Sequence, residues 1–204
     1  MKKSVIFLVI VFLFLTVLTY LKPLLGIDLA ITRTIQEVNL KAFVSFMWLV
    51  TQIGNQPLMV FIVITVSLIL FLKGLRREAV ISSLAVALGA LSGSLIKMLI
   101  DRPRPSGDLV KVSVWLSDKS FPSNHVLVFT IFFGFLLYLI FKKFHKNTLN
   151  IFLSLIFILL IASIGISRIY LGAHWASDVL GGYLLGIVWL MATIKFYNSP
   201  HGKR

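Results

Sequence analysis

The sequence predicts an all-α integral membrane protein, a bundle of six transmembrane helices with an active site at its outer face. Three observations predict it. Of 204 residues, 58% are hydrophobic and 13% charged, whereas soluble domains run at about half apolar and about a quarter charged. Mean hydropathy is +0.98. The apolar residues gather in long runs, with Lys and Arg between them rather than in one soluble patch. The net charge of +13 therefore reads as membrane topology, and no nucleic-acid partner is expected.

A spanning helix takes ~20 mostly apolar residues. Six runs come close: Ser4–Leu21, Pro57–Leu72, Ala79–Ile100, His125–Phe141, Leu149–Ile166 and Ala176–Phe196. The second and fourth are short for a span. Lys2 and Lys3 before the first run resemble a signal peptide, but Leu18–Pro23 offers no small-residue cleavage site, so an uncleaved helix is expected. Between the first two runs, Lys22–Gln56 begins too polar to span. Its stretch Leu40–Val50 is apolar enough to lie in the interface or pack on the bundle. Asp101–Asn124 holds three of the six prolines and reads as an irregular loop. There is no internal repeat, and residues 1–204 read as one domain.

Orientation follows from the loops. With the N-terminus inside, the inner segments hold 11 basic residues against one acid, Glu78, and the outer segments nine against six. That bias places both termini in the cytoplasm.

Three chemistry-bearing clusters then share the outer side. They are Lys97 to Pro105, Phe121 to His125, and Ser167 to Asp178. Arg pairs two donors with phosphate oxygens, and Lys adds a point charge. The helix opening at Pro122-Ser123-Asn124 presents unpaired amides and the positive dipole end. His174 and Asp178 are four apart, the spacing of one helical face. A carboxylate there can hold one imidazole nitrogen and leave the other to attack. His125 can protonate a leaving oxygen. Each residue also has a structural reading. Lys97, Arg102 and Arg104 can be snorkelling anchors. His125 can simply pack, and Ser123 and Asn124 can be plain caps. His174 and Asp178 can be a structural pair with Arg168 as counter-ion. Ionisable groups at membrane depth are costly, so the three clusters together argue for function. His145 and His201 read as solvated and idle.

With these clusters the chain resembles the type 2 phosphatidic acid phosphatase family of membrane lipid phosphate phosphatases. Lys97, six residues, then Arg104-Pro105 matches its first motif. Pro122-Ser123-Asn124-His125 matches the second, with Asn124 standing where the family has Gly. Ser167-Arg168, five residues, His174, three residues, Asp178 matches the third. The resemblance implies that His174 is a nucleophile forming a phosphohistidine, that Asp178 orients it, and that His125 is the general acid. It implies that Lys97, Arg104, Ser123 and Arg168 bind phosphate, with the amide of Asn124. Arg102 falls outside the signature and ranks below Arg104. By size and topology the chain is similar to bacterial members acting on phosphatidylglycerophosphate and undecaprenyl pyrophosphate.

The expected substrate is a lipid phosphate held among membrane lipids, with no cofactor and no obligate protein partner. Cys is absent, so neither disulfides nor thiolate sites exist. No His, Asp and Glu cluster has metal-ligand spacing, so no metal is expected. Two alternatives remain: an anion or lipid transporter using the same basic pocket without chemistry, and a vanadate-type haloperoxidase, which the spans and short loops disfavour.

Overall fold

A computed structural model describes residues 2–144 and 147–199. Among them are eight helices and no strand: α1 (Lys2–Leu21), α2 (Gly26–Gln36), α3 (Lys41–Gly54), α4 (Gln56–Leu72), α5 (Arg76–Ile100), α6 (Asn124–Lys143), α7 (Thr148–Tyr170) and α8 (Ala176–Asn198). The six apolar runs fall on α1 and on α4 through α8. His145 and His201 lie outside the described residues.

Five helices are long and apolar enough to cross a membrane. Only 17 residues long, α4 makes a sixth span when joined to α3, from which it bends by 65°. The chain is thus a multi-pass membrane protein. Asn55 lies between the two helices with extended backbone, and Pro57 follows at the start of α4, where its missing N–H costs no helical bond.

At the centre stands α6, packed by α5, α7 and α8. Val126, Phe129, Phe132 and Phe135 are fully buried along it. Lipid is as apolar as these side chains, so close packing must hold the bundle. Small residues permit it: a Cβ on Gly186 of α8 would come within 2.7 Å of Thr130 on α6.

The segment too polar to span forms α2, which is built inside out. Asp28, Thr32 and Gln36, four apart, are its buried residues, while Ile27 is exposed. Gln36 donates to the carbonyls of Lys111 and Tyr170 and accepts from the Lys111 N–H. The loop after α5 is thereby tied to the end of α7.

Sharp turns aim the site. The left-handed Asp101 (φ 51°) ends α5 and turns Arg102–Pro105 back over the bundle. Gly172 (φ 68°) ends α7, where a Cβ would lie 2.2 Å from the Lys111 carbonyl oxygen.

Candidate active site

The three clusters meet at one end of the bundle. Arg104 Nη1 lies 3.1 Å from His174 Nε2, Arg102 Nη1 donates to Asp178 Oδ1 at 2.5 Å, and the Ser123 N–H donates to the Asp178 carbonyl at 3.0 Å. The first contact sets the tautomer. Guanidinium can only donate, so His174 Nε2 accepts and the ring proton sits on Nδ1. That nitrogen faces Asp178 Oδ2 at 3.5 Å, just beyond a good hydrogen bond.

His174 and Asp178 do not share a helical face. His174 lies in the turn before α8, while Asp178 is in the first turn of α8 and accepts the Trp175 N–H at 2.8 Å. The pair meets through helix capping, because a carboxylate three residues into a helix reaches back to its N-terminus. Nor is Arg168 the counter-ion of Asp178; Arg102 is.

The cations are not snorkelling anchors. Side-chain exposure is 7% for Lys97, 0% for Arg102 and 11% for Arg104. Lys97 Nζ donates to Asp118 Oδ2 at 2.7 Å and Arg104 Nη2 to Asp118 Oδ1 at 2.6 Å. One carboxylate therefore bridges both. Burial pushes the Asp118 carboxyl up, but the Lys97 hydrogen bond and the charges of Lys97 and Arg104 outweigh it and hold the carboxyl below its usual range. For His174, burial first, then the charges of Arg104, Lys97 and Arg168, pushes the imidazole well below its usual value. The ring is neutral and its Nε2 lone pair faces the cations.

Ser123 precedes α6, yet its hydroxyl makes no capping bond; Oγ is buried without a protein partner. The capping reading fails for it. The Leu127 N–H bonds back to the Ser123 carbonyl, so the amides of Asn124, His125 and Val126 precede the helical ladder and face the helix end. Asn124 does not narrow this end with its side chain. Nδ2 donates to Ser94 on α5 at 3.0 Å, and Oδ1 sits where a Cβ on Gly93 would be, 2.0 Å from it. Arg168 Nη1 donates to Thr51 Oγ1 on α3 at 2.7 Å, leaving Nε and Nη2 buried without protein partners. His125 Nε2 is likewise buried and unpartnered. Buried donors without partners are rare, and here they gather beside three cations. Among the described residues, no three of His, Asp and Glu are grouped to hold a metal.

Residues 78–200 match the PAP2 superfamily, and every residue of the three-part signature lies within that span. The chain belongs to the PAP2 superfamily. Among its relatives, the bacitracin transport permease protein BcrC of Bacillus licheniformis is 33% identical over 128 residues, 61% of this chain and 57% of that one. Phosphatidylglycerophosphatase B of Bacillus subtilis is 29% identical over 155 residues, 74% of this chain and 72% of that one. The chain thus spans little more than half the length of the first relative. The crystal structure of a transmembrane PAP2-type phosphatidylglycerolphosphate phosphatase from Bacillus subtilis superposes with a TM-score of 0.84 at 22% identity, covering 98% of each chain. That likeness shows a shared fold.

Sequence reading missed four residues here. Ser120, whose hydroxyl donates to Asp178 Oδ2 at 2.5 Å, lies outside the motifs with Thr51 and Asp118, and Asp28, which accepts from Arg102 Nη2 at 2.6 Å, sits in a segment with no motif at all. No local pattern marks any of them.

Proposed function

We propose that the protein is a metal-independent lipid phosphatase, formed as one six-span domain over residues 1–204. It removes phosphate from phosphatidylglycerophosphate, undecaprenyl pyrophosphate or phosphatidic acid at the outer membrane face. The observation that carries the reading is the position of His174 Nε2, 3.1 Å from the Arg104 donor, with Asp178 behind Nδ1.

Lys97, Arg104, Arg168, Ser123 and the Asn124 amide hold the phosphoryl oxygens. The lone pair of His174 Nε2 forms the N–P bond while the P–O bond to the leaving group breaks. His125 gives its proton to the leaving oxygen. Water then attacks phosphorus, His125 takes its proton, and phosphate leaves His174 neutral again. Phosphoryl transfer asks mainly for positioning and charge stabilisation, which these residues supply. Asp178 steadies the ring as it becomes cationic.

A second reading, an anion or lipid transporter with the same pocket, is favoured by the relative named as a transport permease. One experiment separates them. Purified protein is given a panel of lipid phosphates with EDTA, and the phosphoenzyme is trapped. Phosphate release with a phosphohistidine absent from His174→Ala is expected. Turnover by His174→Ala would sink the phosphatase mechanism, and transport without hydrolysis would favour the second reading.

A further inference from the structure

Behind Asp178 lies a buried group that the signature does not contain. Arg102 donates through Nη1 to Asp178 Oδ1 at 2.5 Å and through Nη2 to Asp28 Oδ2 at 2.6 Å. Its Nε donates to the Pro23 carbonyl at 2.8 Å. Ser177 joins the two sides. Its hydroxyl accepts from Arg102 Nη1 and donates to Asp28 Oδ2, and its N–H donates to Asp28 Oδ1 at 2.8 Å. The side chains of Asp28, Arg102 and Asp178 are 1%, 0% and 0% exposed.

The charge count is what calls for explanation. One guanidinium beside Asp178 alone would form a neutral pair. A neutral pair is a poor counter-charge for an imidazole turning cationic 3.5 Å away. Asp28 adds a second carboxylate against the one guanidinium, so the triad carries one net negative charge when both carboxylates are ionised. Burying a surplus charge is costly unless it is compensated. His174 supplies that compensation only while its N–P bond forms. We infer that Asp28 and Arg102 are positioning residues: Arg102 clamps Asp178 behind His174, and Asp28 offsets Arg102 so that Asp178 keeps its full counter-charge for the reacting ring.

The inference rests on the phosphohistidine reading above. Its test uses the full-length protein, a detergent-dispersed short-chain phosphatidic acid, and kcat and KM across pH, with rates normalised to trapped phosphoenzyme. The acid limb of kcat/KM reports loss of the His174 lone pair to a proton, and substrate ionisation is common to all variants. Around His174 stand Lys97, Arg104 and Asp118 from α5 and its loop, His125 from α6, Arg168 from α7, and Asp178 from α8. Asp28→Asn changes none of these. It removes one negative charge and so disfavours the imidazolium. The acid limb should move to lower pH by about one unit, and kcat should fall about tenfold, one effect read twice. KM should hold, because the phosphate ligands are intact.

The double variant Asp28→Asn/Arg102→Gln removes both charges of the pair and restores the net charge. Its acid limb should return to the wild-type position, even if Asp28→Asn alone fails to fold. Ser177→Ala removes hydrogen bonds but no charge and should leave the limb unmoved. An Asp28→Asn enzyme with a wild-type limb and wild-type kcat overturns the inference. So does a double variant that is inactive, unfolded or still shifted, since the pair would then serve assembly alone. Wild-type protein that turns over without a phosphohistidine would overturn the reading of His174 itself, and this inference with it.

Discussion

Asp118 occupies donors that the proposed phosphate site needs. Its carboxylate bridges Lys97 and Arg104, two cations of the signature, while its side chain is 57% exposed. An arriving phosphate must compete with it for the same donors. A half-exposed ion pair is worth at most about 1 kcal/mol, or a few-fold in affinity. Asp118→Asn is expected to lower the inhibition constant of inorganic phosphate by that few-fold amount. Inhibition assays at neutral pH, where the depressed Asp118 carboxyl is ionised, check it. An unchanged or weaker phosphate affinity would mean that Asp118 chiefly holds the cations in place.

Among the elements, α3 turns from an interfacial run into a wall of the site. Thr51 receives Arg168 Nη1, and the Met47 carbonyl accepts the Ser167 hydroxyl at 2.6 Å. Its last residue, Gly54, packs on the imidazole of His125, where an added Cβ would lie 2.7 Å from Cδ2. No real Cβ contact is that short, so Gly54→Ala must shift the ring. Misplacing a proton donor by about 1 Å can cost on the order of 100-fold. The loss should fall on substrates with poor leaving groups and spare an activated aryl phosphate, which needs little protonation. Comparing kcat for the two substrate types checks it. Equal losses on both would show that the nucleophile, not the acid, had moved.

At the scale of the whole molecule, loop charge bears on orientation. The site end and the opposite end differ in loop charge, and Lys and Arg favour the cytoplasm. Lys143 and Tyr197 bond to Glu78 at the end away from the site, tying α5, α6 and α8 together there. The chain has no Cys, so one introduced thiol is unique. Lys111→Cys lies in the loop by the site, and Lys73→Cys lies between α4 and α5. In intact cells an impermeant thiol reagent is expected to label position 111 and not 73. The reverse pattern would put the site in the cytoplasm.

The residues proposed to act through their own chemistry stand out in the chain alone. Lys97, Arg104, Ser123, His125, Arg168, His174 and Asp178 stand at motif spacing, and the six apolar runs mark the helices that carry them, because hydropathy and short-range spacing are local properties. The function of the Asn124 side chain was not legible, since Gly93 and Ser94, which receive it, lie some 30 residues upstream. The spacing of His174 and Asp178 suggests a helical face, whereas a cap brings them together. Arg102 falls outside the signature, and no motif marks Asp28, Thr51 or Asp118. Asp118 finds Arg104 only 14 residues away, but the others depend on partners far along the chain: Asp28 meets Arg102 across 74 residues, and Arg168 meets Thr51 across 117. In α2 the usual pattern is also inverted, with polar residues facing in. A membrane makes the outside apolar, so only packing against α7 and α8 decides which polar side chains are buried and what charge they bring to His174.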